Sequence, residues 1–255
     1  TAFLLATLAT SWNLLAYAGQ ISFGHAAFFG LGAYGSALTS LRGLSPWWAV
    51  MLGGLTGVAG AVAIGLVSAR LKGAYLALAT LAYAEIWRGI AQNWTELSGG
   101  GSGLIGIPPL PALSQVPVDF TRGRAGGYYL SLAFLLAVLA VLSAILHSRV
   151  GLAFAAIREE EERAELLGLS SIRYKLLAFV LSAFFTALAG ALYAHTIRVV
   201  EPDLVFGRSY SFLPLVMATF GGLHTLLGPP AAALGLYLLS ELFLHPYTPV
   251  LHQIP

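Results

Sequence analysis

The chain has 255 residues, 58% of them hydrophobic and only 9% charged, with a formal net charge of +2. Soluble domains carry about 25% charged residues, so a water-facing surface cannot be built from this sequence and the class is integral membrane protein. The absence of cysteine excludes disulfides, thiolate metal sites and cysteine catalysis, and no basic stripe interleaved with aromatics points to nucleic acid.

A helix crossing about 30 Å of hydrocarbon needs roughly 20 mostly apolar residues. In chain order such segments lie at 1–18, 20–40, 47–69, 73–93, 128–147, 175–196, 212–227 and 229–245. The expected fold class is therefore all-α, a polytopic membrane bundle of about eight segments. No alternation of about ten residues repeats, which argues against a barrel. The first segment lacks a basic leader and a cleavage-type ending, so no signal peptide is expected, and the opening on Thr1 leaves room for residues upstream.

The second segment is unusual. GQISFGHAAFFGLGAYG (19–35) is apolar enough for a bilayer but carries Gln20, Ser22, His25 and five glycines. One reading is close helix packing through small residues. The other is a broken or re-entrant helix, because free backbone polar groups are tolerated in a membrane only beside protein or water. A loose counterpart, ATFGGLHTLLGPPAAALG within 214–238, also combines paired glycines, a histidine and a hydroxyl. Paired breaks of this kind mark substrate paths in transporters. The candidate path or gate residues are Gln20, Ser22, Gly24, His25 and Phe28, with Gly221, Gly222 and Thr225 from the second break.

Segment 73–93 contains Glu85 and Arg88 one turn apart, which suits an intramembrane ion pair turned away from lipid. Basic residues set the orientation. Arg70 and Lys72 in a short turn, and Arg149, Arg158, Arg163, Arg173 and Lys175 within 149–175, mark both connections as cytoplasmic. Connection 94–127 is then extracytoplasmic, as is 197–211. Leu104, Ile105 and Ile107 favour an ordered cap over a flexible linker in the former.

The cytoplasmic stretch 148–175 holds five basic and five acidic residues. Residues 152–167 predict one helix stopped by Gly168, with Glu159–Arg163 and Arg158–Glu162 as i,i+4 pairs. It reads either as a solvated surface helix or as a docking helix for a cytoplasmic partner. Consecutive carboxylates fan around a helix, so no metal site is expected there.

Four stretches then carry a family resemblance: WNLLAYAGQISFGHAAFFGLGAYGSAL (12–38), GAYLALATLAYAEIWRGIAQNW with SGGGSGLIGIP (73–108), AIREEEERAELLGLSSIRYKLLAFVLSAFFTALAGALYA (156–194) and LVMATFGGLHTLLGPPAAALG (215–235). In order, and over almost the whole chain, they resemble the membrane permeases of branched-chain amino-acid ABC transporters. The resemblance implies a single transmembrane permease domain over 1–255 and a bacterial-type inner-membrane location. It implies a second homologous permease subunit, two cytoplasmic ATP-binding subunits and an extracytoplasmic substrate-binding protein. It also implies that a short helix in 148–175 seats in the ATPase, which makes Ile157, Arg158, Glu159, Glu162, Arg163, Glu165 and Gly168 the candidate coupling residues. No cofactor, metal or catalytic residue is expected. EEEER is more acidic than the family pattern, and the end LFLHPYTPVLHQIP lacks a basic tail. Similar permeases handle urea or short amides, and more distant ones sugars.

The chain's own residues agree that energy must come from elsewhere. Its lysines are Lys72 and Lys175 alone, and neither sits in a P-loop pattern. Two alternatives stand beside the importer. An ion-coupled carrier would use Glu85, Arg88, Glu241 or the histidines 25, 195, 224 and 245 as relays. An intramembrane hydrolase would need more than Ser22 and His25, which are three residues apart on one segment and more simply satisfy each other or the backbone.

Overall fold

The computed structural model describes residues 2–68, 71–111 and 124–244. Arg70, His245, the rest of the final stretch and residues 112–123 of the long connection lie outside them. The order is α1 (Ala2–Tyr17), α2 (His25–Leu41), α3 (Pro46–Ser68), α4 (Ala74–Asn93), α5 (Thr95–Ser98), a 3₁₀ turn, β1 (Leu104–Ile105), α6 (Arg124–Leu146), α7 (Arg149–Glu159), α8 (Glu161–Leu166), α9 (Ser171–Ile197), β2 (Val199–Val200), α10 (Pro202–Val205), α11 (Ser209–Gly221), α12 (Gly228–Leu239) and a π-helical turn, Ser240–Leu244. The fold is all-α. Pro46–Ser68, Gly126–Leu146 and Ser171–Ile197 are long and apolar enough to cross a membrane, and Ala2–Tyr17 is a shorter apolar helix.

Of those three, α9 is the central one: 72% of its most apolar window is buried, against 39% for α3 and 22% for α6. Small residues let α2 and α3 approach it closely. A Cβ on Gly32 would lie 2.0 Å from the Ala187 carbonyl oxygen, and one on Gly190 would lie 2.0 Å from that of Phe29. Small side chains are how helices gain dispersion contact where no hydrophobic drive exists between them. The glycines within α2 thus serve packing.

The ladder pairs Leu104 with Val200 and Ile105 with Val199. It ties the stretch after α4 to the exit of α9, where His195 completes the join. Its Nδ1–H donates to the Pro108 carbonyl at 2.7 Å, so Nε2 must accept from the Ser36 hydroxyl at 2.8 Å. Ile107 and Leu110 are buried beside it. Within the connection 94–127, residues 94–111 carry α5, a 3₁₀ turn and β1, and His195 is a buried cross-link between that stretch and α2.

Candidate functional site

The first break opens where α1 ends. Gly19 adopts φ +70°, closing the helix with Gln20 N–H on the Leu15 carbonyl at 2.9 Å. Residues 20–24 then run without helix. Their backbone groups are matched by side chains from elsewhere: Trp12 Nε1–H donates to Ser22 O at 2.7 Å, and Phe23 N–H to Thr80 Oγ1 at 3.0 Å. Gly24 N–H takes Ser22 Oγ at 3.1 Å, and Ala26 N–H takes Ser211 Oγ at 3.1 Å. α2 therefore begins part-way along the bundle. Its first residue, His25, reaches Ser182 at 2.9 Å, about 16 Å into α9 at ~1.5 Å per residue.

The tautomer of His25 follows from its neighbours. Ser182 Oγ donates its proton to Ser11 O at 2.6 Å, so His25 Nε2–H must donate to Ser182. That leaves Nδ1 buried with no partner, as is Gln20 Oε1. Gln20, Ser22, Gly24, His25 and Phe28 are all buried in the core.

The second break, 222–227, sits between α11 and α12, with Gly222 and His224 at positive φ. Asn13 Nδ2 donates to Thr225 O at 2.8 Å and Asn13 Oδ1 accepts from His224 N–H at 3.2 Å, while Tyr17 O–H donates to His224 O. Here Gly221 and Gly222 are half-buried and Thr225 is exposed. The two candidate sets are thus not brought together directly. The adjacent residues Trp12 and Asn13 of α1 hold one break each. Asn13 had a signal, a lone amide in an apolar helix, that sequence reasoning passed over.

The charged stretch folds against the first break. Ser148 caps α7, its Oγ accepting from Val150 N–H at 3.1 Å, and Phe154 and Ile157 bury that helix's apolar face. Its last turn lays Arg158 on Gly19: a Cβ there would stand 3.2 Å from Arg158 Cα. Gln20 and Lys175 line one small cavity. The single helix expected over 152–167 is two helices, because Glu160 is extended at φ −157°, ψ 102°. That break removes the i,i+4 geometry on which the expected Glu159–Arg163 and Arg158–Glu162 pairs depended. Arg158 pairs with Glu159 at 2.7 Å and Arg163 with Glu160 at 3.0 Å instead.

The anchor is Glu161, which sequence reasoning missed. It takes Lys175 at 2.6 Å and Lys72 at 2.8 Å, tying α8 to α9 and to the turn before α4. Partial burial opposes its ionisation, but the hydrogen bonds from Lys175 and Lys72 outweigh this and pull its carboxyl from 4.5 to about 2. A carboxylate with a depressed folded value stabilises above its unfolded pKa and loses that effect as pH falls. Glu161→Gln should lower the melting temperature at pH 7, at a cost of roughly 1–2 kcal/mol after allowing for its partial exposure. The gap to wild type should close between pH 4.5 and pH 2. A pH series of thermal melts checks this.

Beyond Glu161 the chain presents Leu166 and Leu167, 87% and 82% exposed. Gly168, at φ +86°, then ends the helix as predicted, with Leu169 N–H on Ala164 O at 3.0 Å. Ile157 is buried, Arg158 half-buried, and Glu159, Glu162, Arg163, Glu165 and Gly168 are exposed. Two adjacent leucines in a charged run were the readable signal for an apolar tip.

Glu85 and Arg88 pair at 2.7 Å, as their spacing suggested. The pair is part of a longer network: Arg88 also meets Asp203 at 3.0 Å, and Arg208 meets Glu85 at 2.7 Å. Among the described residues no cluster of three or more His, Cys, Asp or Glu could hold a metal.

An all-α chain with three helices fit to span a membrane among its described residues, interrupted helices and a charged connection between them has the character of a membrane permease. The chain belongs to the family described as branched-chain amino acid transport system / permease component, whose model matches residues 1–250. Members are transport components of ABC systems rather than enzymes. It is 33% identical over 247 residues to the high-affinity branched-chain amino acid transport system permease protein LivM of Salmonella typhimurium, covering 88% of this chain and 57% of that protein. The Escherichia coli LivM protein is 32% identical over the same shares. The autoinducer 2 import system permease protein LsrC of Salmonella typhi is 28% identical over 65% of this chain and 45% of its own. The chain thus spans a little over half the length of the LivM relatives. No solved structure matches it.

Proposed function

We propose that this chain is a membrane-spanning half of an ATP-driven importer for branched-chain or other hydrophobic amino acids. It would lie in a bacterial-type inner membrane as a single domain of about eight segments, with α1, α2, α4, α11 and α12 joining the three helices of spanning length. A second permease half, two ATP-binding subunits and an extracytoplasmic binding protein would complete the assembly. The observation that carries the reading is the exposed Leu166–Leu167 tip, braced by Glu161 and continuous through Arg158 with the break at Gly19. A partner seated on that tip would move α8 and with it α7, whose Arg158 rests on Gly19 at the start of the non-helical run 19–24.

The two breaks supply the gate. Gln20 opens the first and Thr225 lies within the second, and α1 couples the breaks through Trp12 and Asn13. In proteoliposomes holding the complete importer, labelled leucine should accumulate only with ATP inside. Gln20→Leu and Thr225→Leu should each lower uptake about tenfold, a barrier change of about 1.4 kcal/mol, while basal ATPase activity persists. Unchanged uptake in both variants would remove these residues from the path. Absence of ATP-dependent leucine uptake by wild type would remove the substrate assignment.

A further inference from the structure

The ionic network on α4 has a feature that mutual neutralisation does not explain. Glu85 lies 11 residues past Ala74, the start of α4, about 16 Å along the helix at ~1.5 Å per residue. That is mid-depth for a membrane segment. Asp203 and Arg208, which extend the network, have side chains 67% and 68% exposed. Asp203 bonds further along, at Arg88 and Gln92 near the end of α4, so the network runs from mid-depth toward that end, and ionised groups within a membrane face water or protein, not hydrocarbon. Exposed ion pairs contribute little to stability, so the fold alone gives little reason to keep the exposed ends of the network, Asp203 and Arg208.

The ends of the network are open. Arg208 uses only Nε, on Glu85 Oε1 at 2.7 Å, which leaves both Nη groups uncommitted among the described residues. Asp203 uses only Oδ1, taken by Arg88 Nη1 at 3.0 Å and Gln92 Nε2 at 2.7 Å, which leaves Oδ2 uncommitted. One end is therefore a guanidinium edge suited to a carboxylate, and the other a carboxylate oxygen suited to an ammonium. Beside the Arg208 end is an apolar surface. Phe212 follows Arg208 by one helical turn, is partly exposed, and stands 5.2 Å from the ring of Phe23. Phe23 is in turn held to α4 by its N–H bond to Thr80.

We propose that this face is a substrate subsite on the translocation path, where Arg208 and Asp203 hold the carboxylate and ammonium of a free amino acid and Phe212 and Phe23 take its apolar side chain. Glu85 and Arg88 position the two exposed ends and keep the site neutral when empty. Neutrality suits a zwitterion, which brings no net charge, and disfavours a simple anion or cation. The inference rests on the importer reading above and adds to it where the cargo is held.

The 255 residues contain no cysteine, so a single reporter thiol is unique in this chain and is read on the permease band, with the assembly lacking it as the blank. Ser209→Cys, exposed and beside Arg208, is introduced into the importer assembled in proteoliposomes without ATP and treated with a charged, water-soluble thiol reagent. The thiol should react, and L-leucine should slow the reaction. The carboxylate-only 4-methylpentanoate and the amine-only 3-methylbutylamine should protect at least tenfold more weakly. Arg208→Gln or Asp203→Asn in the same background should raise the half-protecting leucine concentration at least tenfold with an unchanged melting temperature. Reaction in the isolated permease but not in the assembly would overturn the proposal, because the face would then be closed by the second subunit. Leucine uptake by the same vesicles separates the two readings. Uptake without protection overturns the subsite alone, and neither uptake nor protection overturns both.

Discussion

Gly190→Leu should abolish folded protein, with no monodisperse peak on size-exclusion chromatography and no cooperative melt. The reason is backbone against backbone. A Cβ at 190 would meet the Phe29 carbonyl oxygen at 2.0 Å, and across the same contact Gly32 faces the Ala187 carbonyl equally closely. No rotamer relieves such an overlap, so α2 and α9 must separate, and the loss should exceed the usual ~1–3 kcal/mol of overpacking, reaching about 4 kcal/mol or more. Separation would also pull His25 from Ser182 and Ser36 from His195. Gly89 is the internal control: a Cβ there meets nothing within 4 Å. Gly89→Ala should leave the protein folded and gain up to about 1 kcal/mol from helix propensity.

The second large effect concerns partnership rather than folding. Replacing Leu166 and Leu167 together by Asp should remove copurification of the ATP-binding subunits and ATP-dependent uptake, while the melting temperature of the permease stays within about 2 °C, as expected for exposed positions. Both side chains are more than four-fifths exposed, so the fold does not need them. A docked apolar tip is the kind of small, central contact that dominates an interface, and two carboxylates there would have to be desolvated without partners. Replacement of 158–168 by a Gly/Ser linker should have the same result by removing the whole element. A complex that survives both changes would make α8 a surface ornament.

Much of this was legible from local pattern. Membrane class followed from composition, because 9% charged residues cannot cover a water-facing surface. Helices stand where the long apolar runs were expected, except that α2 starts at His25 rather than near 20 and the run 212–227 is helical only to Gly221. Gly168 ended α8, because a left-handed position favours glycine, and Glu85 met Arg88, because three residues make one helical turn. The opening of α2 divides the two readings of 19–35 between its halves. Residues 19–24 are non-helical and internally braced, and the glycines from 30 onward serve close packing.

Other features depended on groups far apart in sequence. Glu160 has ordinary helix propensity, and nothing local announces that it will be extended. Its break goes with Glu161 being drawn toward Lys72 and Lys175, residues that no local window contains together. Likewise Arg208 and Asp203 look like loop charges until tertiary folding carries residues 203–208 against the second half of α4. The sequence by itself determined the solvent this protein lives in, its helical class and the positions of its two glycine-marked interruptions, since composition, periodicity and backbone permissiveness act over a few residues. Tertiary structure alone decided which interruption is buried and which exposed, which lysines hold Glu161, and where open charges sit beside Phe212, because burial and ion pairing are set by groups that only folding brings together.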